Sequence, residues 1–419
     1  MKYILIFLCS LFILLETSQA QKIFIPMDLA QTNHLKAYGL TYWVLKQGQE
    51  VDWLLNYRGG SFMTDYSDKI ATELRLRGIF FENLDGGSTG KIYAEVQSEN
   101  NNMDVVRLEK APKICVYAPP GARPWDDAVR LALEYAEVEH DIIWDEDVVM
   151  GKLEKYDWIH LHHEDFTGQF GKFWAAYHNV PWYIQQVALN EGMAKKLGFA
   201  KVSQMKLSVV KKIQEFIANG GFMFAMCSAT DSYDVALAAE GVDICSEPFD
   251  GDPLDMQAQS KLDFSKTNAF ENFRIVYDPY EYEISSIDID PLKIPNPDLD
   301  YFTLFDFSAK YDPVPSMLTQ CHVNIVHGFM GQTTAFHKEY IKKNVTILGI
   351  KEGSDEVKYI NGNVGRGTYT WYGGHDPEDY RHNIGDPPTD LSLHKNSPGY
   401  RLILNNILFP AAKKKKLKT

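Results

Sequence analysis

The chain of 419 residues is 45% hydrophobic and 23% charged, enough to bury at least one full core, and it carries a net charge of −14 at pH 7. Its pI near 5.3 argues against nucleic acid as a partner, because phosphate binding needs a basic surface. Beyond a short apolar run near the start, nothing approaches the roughly 20 apolar residues of a membrane span, so no transmembrane segment is expected.

Lys2 precedes an apolar run from Ile4 to Leu15, and Ser18-Gln19-Ala20 follows with small residues at two of the three positions. Residues 1–20 therefore read as a signal peptide cleaved before Gln21, and the mature protein is expected in the periplasm or outside the cell. Export leaves Cys115, Cys227, Cys245 and Cys321, an even number that an oxidising compartment allows to pair.

From Lys22 the pattern alternates. Lys22–Met27 reads as strand, Leu35–Gln47 as helix, Val51–Leu55 as strand, Tyr66–Arg77 as helix and Ile79–Leu84 as strand. This order predicts a small α/β domain, residues 21–109, with a parallel sheet covered on both faces. Three polar turns follow its strands: Asp28 with Thr32 to His34, Arg58-Gly59-Gly60-Ser61, and Asp85-Gly86-Gly87-Ser88. They suit either turn chemistry or the rim of a pocket. Ser98 to Lys113 reads as a polar linker.

A larger α/β domain is expected over residues 110–412. Its strands are Ile114–Tyr117, Asp141–Trp144, Asp157–His163 and Phe222–Met226, with helices at Pro124–Ala136 and Lys206–Ala218. Between residues 247 and 320 the alternation is lost, which marks an insertion. Within it, Asp250-Gly251-Asp252 with Asp255 resembles part of a calcium loop but lacks the closing bidentate glutamate. Strands return at Val323–Phe329, Val345–Ile350 and Thr368–Tyr372, and a helix closes the domain at Gly399–Leu408. Residues 413–419 form a basic tail, read as a solvated terminus or a weak contact for an anionic surface.

The stretch Phe222 to Leu237, FMFAMCSATDSYDVAL, carries the main chemical signal. A buried strand breaks at Cys227 into a helix, which points the sulfur out of the sheet's carboxyl edge against a helix amino terminus that favours thiolate. Ala225 and Ala229 leave room for such a turn; a small buried core residue is the plain alternative, and a disulfide to Cys245 is another. Far downstream, Thr368–Tyr372 runs into Gly373-Gly374-His375-Asp376-Pro377-Glu378. A histidine there can take a proton from a nucleophile, with Asp376 or Glu378 fixing its tautomer. Ser228 and Gly374 flank the pair and are assigned to the substrate pocket.

The second constellation is His160-Leu161-His162-His163-Glu164-Asp165. In a strand His160 and His162 share a face, a metal-ligand arrangement; no cofactor is expected, a divalent metal at these two residues being the exception the pattern admits. Alternatively His162, His163, Glu164 and Asp165 contact substrate, or the group is polar packing.

A strand ending in small-x-Cys-x-small, followed by a distant strand ending in Gly-His-Asp-Pro-Glu, resembles the class I glutamine amidotransferase-like superfold. The segment Gly365 to His375 with its closing helix is especially similar to ThuA-like proteins. The likeness covers about residues 110–419 and implies a flavodoxin-like, doubly wound parallel sheet, with Cys227 as nucleophile, His375 as base, and Glu378 or Asp376 as orienting acid. Ala225, Ala229 and Asp231 stand where amidotransferases usually carry Gly, Gly and Gln, and His-Asp-Pro-Glu is one residue longer than their His-Pro-Glu. The whole chain also resembles secreted bacterial proteins often called asparagine synthetase B. A glutaminase cysteine after Met1 and the Ser-Gly-Gly-x-Asp-Ser phosphate motif of a true synthetase are not in the sequence.

Four functions follow as expectations: a Cys–His hydrolase or transferase acting on an amide or acyl group; a non-catalytic ThuA-like binder of carbohydrate or a peptide-like ligand; a metal-dependent hydrolase at His160 and His162; and an asparagine synthetase B-type family member without the synthetase motifs. The partner in each case is a small molecule, carbohydrate or peptide-like ligand.

Overall fold

The computed structural model describes residues 22–123, 126–161, 163–289, 296–381, 383 and 385–412. The expected signal peptide, the basic tail and His162 lie outside the described residues.

The first sheet has five strands: β1 (Lys22–Ile25), β2 (Val51–Leu55), β3 (Ser61–Asp65), β4 (Glu82–Leu84) and β5 (Asp104–Leu108), in the order β4-β1-β3-β2-β5. All its pairings are antiparallel, which corrects the parallel sheet expected here. The cause is local. Asn56, Arg58, Gly59 and Gly60 adopt positive φ, so the chain turns back at once and Ser61–Asp65 pairs with Val51–Leu55 as a hairpin. The supposed linker supplies β5, which covers the other side of β2. The polar turns hold one another: Arg58 donates to Asp28 at 2.7 Å and to Glu82 at 2.8 Å.

The second sheet contains β6 (Ile114–Tyr117), β7 (Asp141–Ile143), β8 (Trp158–Leu161), β9 (Phe222–Met226), β10 (Tyr301–Leu304), β11 (Ile325–His327), β12 (Phe336–His337), β13 (Thr346–Ile350), β14 (Glu356–Val364) and β15 (Gly367–Tyr372). Its order is β11-β10-β13-β14-β15-β9-β8-β6-β7, with β12 paired to β14. From β15 to β7 every pairing is parallel. From β11 to β15 every pairing is antiparallel, so the expected all-parallel sheet holds for half of this one. The insertion contributes to that second half: β10 lies inside it and pairs with β11 and β13.

The parallel strands alternate between two cores, as buried strands with covered faces must. Ile114, Val116, Phe224, Met226 and Tyr372 pack with the helices Ala128–Ala136 and Pro398–Leu408. Cys115, Met223, Ala225 and Trp371 face the helices Val202–Ala218 and Ser228–Ala238. The first of these cores continues without a break into Ile23, Leu35, Tyr38 and Trp53 of the amino-terminal sheet and its helix. At that junction the rings of His34 and His322 stack at 4.2 Å, and buried Arg401 donates to Met27 O at 2.8 Å.

Candidate functional site

The carboxyl ends of β6, β8, β9 and β15 lie side by side, with Tyr117 level with Leu161, Leu161 with Ala225, and Met226 with Tyr372. The register brings Cys227 and the Gly373-Gly374-His375 turn to one rim. Cys227 joins β9 to the helix Ser228–Ala238 with φ 54° and ψ −143°. A side-chain-bearing residue held there costs on the order of 1–3 kcal/mol and marks a turn the surrounding structure enforces.

The sulfur is not open to solvent. Cys227 is 3% exposed, and the backbone N–H of Gln332 donates to Sγ at 3.1 Å. Burial pushes the thiol pKa up; the backbone N–H groups of Thr333, Ser228 and Gln332 pull it down, and Asp288 adds to the rise. Gln332 is itself tied across the site, donating through Nε2 to Gly171 O at 2.6 Å and Tyr282 O at 3.2 Å. Among the described residues the four cysteines are free thiols, so the alternative pairing of Cys227 with Cys245 is not formed; Cys245 donates to Thr167 O instead.

The glycines before His375 have a steric task. A Cβ on Gly374, at φ 92°, would lie 2.4 Å from the Phe329 ring, and one on Gly373 would lie 2.5 Å from Thr334 O. Both turn positions thus admit the segment Phe329–Ala335 that covers the thiol, and Gly374 N and His375 N donate to Thr333 O and Met330 O. Gly374 thereby shapes the wall of the site.

His375, 8% exposed, shares a hydrogen bond between its Nε2 and Nδ1 of His163 at 3.0 Å. Ser228 Oγ donates to His163 O at 2.9 Å, so the residue after the cysteine holds the histidine turn. The carboxylate that joins this pair is Asp126, whose Oδ2 lies 3.9 Å from His163 Nε2. Of the acids expected to orient His375, Glu378 pairs with His394 Nδ1 at 2.9 Å and accepts from Tyr380, and Asp376 accepts the Glu378 N–H.

The His160 to Asp165 stretch divides. His160 is buried inside the sheet with Nδ1 3.1 Å from Phe224 O and Nε2 3.1 Å from Asp127 Oδ1. Both ring nitrogens thus have partners within the fold, whereas a metal ligand needs one of them for the ion. Glu164 lies 3.2 Å from the buried Lys206 ammonium, which also contacts Asp145 at 3.1 Å. Asp165 accepts from Thr167 N, Thr167 Oγ1 and Gly171 N. These two carboxylates anchor the turn, while His163 meets His375 at the rim.

Sequence reasoning missed a buried ionisable group behind the thiol. Burial raises Asp231 to about 7 and Asp288 well above the carboxylate range; Thr333 Oγ1 donates to Asp231, and Thr334 N donates to Asp288. Lys358, fully buried, falls to about 7 and donates to Phe329 O and Thr334 O. Asp231 was visible as part of the helix cap, but nothing local placed Asp288 or Lys358 beside it. The calcium-like fragment is filled by a cation of the chain: Lys201 Nζ lies 2.5 Å from Asp243, 2.9 Å from Asp250 and 2.5 Å from Asp252.

No family model matches the chain, and no curated protein matches it. Similar solved structures include the cytoplasmic protein STM3548 of Salmonella typhimurium, at 11% identity and TM-score 0.34, covering 72% of this chain and 100% of that one. The cytoplasmic protein STM1381 of Salmonella typhimurium LT2 has 10% identity, TM-score 0.35 and coverage of 72% and 100%. A ThuA-like protein of Bacteroides uniformis has 11% identity, TM-score 0.29 and coverage of 68% and 91%. At these scores they carry no argument about activity, and none of the three names points to an asparagine synthetase.

Proposed function

We propose that the protein is an exported cysteine-dependent hydrolase or acyltransferase for a small amide or acyl substrate, built on a ThuA-like, class I amidotransferase-like domain. The parallel strands, renumbered along the chain from β6, run 2-1-3-4-5, which supports the flavodoxin-like, doubly wound reading. The observation that carries the proposal is the backbone of Cys227: a non-glycine residue forced to positive φ at a strand-to-helix junction, on the strand next to the one that delivers His375.

In the proposed reaction, the Cys227 proton passes to the His375 imidazole as Sγ attacks the carbonyl carbon. Backbone N–H groups at Ser228 and on the Gln332-Thr333 segment are the available donors for the resulting oxyanion. The imidazolium returns its proton to the departing amine or alcohol, leaving a thioester that water or an acceptor amine cleaves. Gln332 and Tyr282 stand over the sulfur, so the described form is closed and substrate entry requires that cover to lift.

Mass-spectrometric mapping after brief exposure of the native protein to iodoacetamide tests this reading. Labelling concentrated at Cys227, and slowed in His375→Gln, is the expected result. The sealing of the sulfur favours a second reading, a binding protein that keeps Cys227 as a structural residue. A thiol that stays unlabelled until the protein unfolds supports that reading and overturns the first.

A further inference from the structure

Three loops at the carboxyl rim place ligand-type atoms together. Asp126 precedes the helix Ala128–Ala136 after β6, His163 follows β8 and His375 follows β15. One ligand atom from each lies within 4.8 Å of the others. Bonds of about 2.1 Å in a tetrahedral shell put ligand atoms about 3.4 Å apart, so modest side-chain rotation closes the set. We infer that Asp126, His163 and His375 form a binding site for one divalent transition-metal ion.

Two imidazoles and one carboxylate select zinc, cobalt, iron or manganese over calcium or magnesium, which prefer all-oxygen shells. Side-chain exposure rises from buried His375 through His163, at 30%, to Asp126, at 61%. Three protein ligands on a rim with a wet side leave coordination positions for water or substrate, as in catalytic rather than structural metal sites. The other cluster with ligand spacing, Asp243, Cys245 and Asp250, contrasts with it: Lys201 already sits among two of its carboxylates as a built-in counter-ion.

The ion needs the lone pair on His375 that the thiol reaction also uses, but its binding does not depend on that reaction. Tag-free protein stripped with a chelator and titrated with Co²⁺ should take up one equivalent, with ligand-field bands and no thiolate charge-transfer band. Cys227→Ser and Cys245→Ser should bind like wild type, whereas His163→Ala and His375→Ala should bind at least about tenfold more weakly. Asp126→Asn should show the same loss, and its exposed side chain makes it the variant least able to disturb folding, checked by circular dichroism. No stoichiometric uptake, a thiolate band lost in Cys245→Ser, or unchanged affinity in Asp126→Asn, His163→Ala or His375→Ala would overturn the site, whatever Cys227 does with iodoacetamide.

Discussion

Around Cys227 the polar atoms turn inward, whereas a few residues along the same rim, around His163 and Asp126, the structure grades into solvent. Both centres are delivered by the same device, the carboxyl ends of neighbouring parallel strands. They differ in what lies above them. The thiol is covered by Gln332 and Tyr282 from the antiparallel half and the insertion, while the imidazole pair meets an exposed aspartate from the loop after β6. Strand order thus brings reactive groups together, and the loops of the other half decide which of them water reaches.

The floor common to both centres offers the largest test. Lys206 holds Asp145 and Glu164 beneath the histidine turn, with all three side chains buried. Lys206→Met leaves two buried carboxylates without their cation and should cost about 3–5 kcal/mol in urea unfolding. A loss below about 1 kcal/mol would mean that the turn is positioned by something else.

The buried carboxylate behind the thiol and the histidines at the junction of the sheets should respond oppositely to acid. Asp231 binds its proton in the folded state up to about pH 7, against an ordinary 3.8, so the folded chain holds more protons than the unfolded one across that window. Its contribution to stability therefore falls as pH rises from about 4 to 7, by at most about 1.4 kcal/mol per pH unit. At the junction of the sheets, burial lowers His34 to about 4 and His322 to about 3. Those two contribute stability that is lost as pH falls from 6.5 toward these values. Asp231→Asn should remove its share of the falling component, leaving that of Asp288, so that stability falls less steeply between about pH 4 and 7; an unchanged profile would place the Asp231 proton elsewhere.

A smaller effect separates cover from elbow. Gln332→Ala removes two side-chain hydrogen bonds to Gly171 O and Tyr282 O while keeping the backbone N–H on the sulfur. Losing about 1.4 kcal/mol of closure corresponds to about tenfold faster iodoacetamide labelling of Cys227. No acceleration would show that the cover does not control access.

What the sequence made legible follows the same division. Phe222–Met226, the Cys227 break and the Gly-Gly-His turn were readable because each is a local pattern of apolar run, small residues and helix start. Asp126 looked like part of a helix opening, and Gln332-Thr333 like loop; their place at the site comes from topology that no local window contains. The amino-terminal sheet was misread because β2 and β3 are both strongly buried strands, and the Arg58-Gly59-Gly60 turn between them read equally well as a strand-to-helix connection.

The smallest expected effect concerns Glu378, the residue whose sequence position most suggested an orienting acid. Its carboxylate is held by His394 and Tyr380. Glu378→Gln keeps the shape and weakens a partly buried ion pair with His394 and the hydrogen bond from Tyr380, together worth about 1 kcal/mol. Labelling of Cys227 should then change less than about twofold, since both weakened contacts, to His394 and Tyr380, lie within the turn that follows His375. A large slowing would return Glu378 to the catalytic group and make the imidazole centre depend on the turn after it, whereas near-identity with wild type leaves Asp126 as the carboxylate that acts on the histidines.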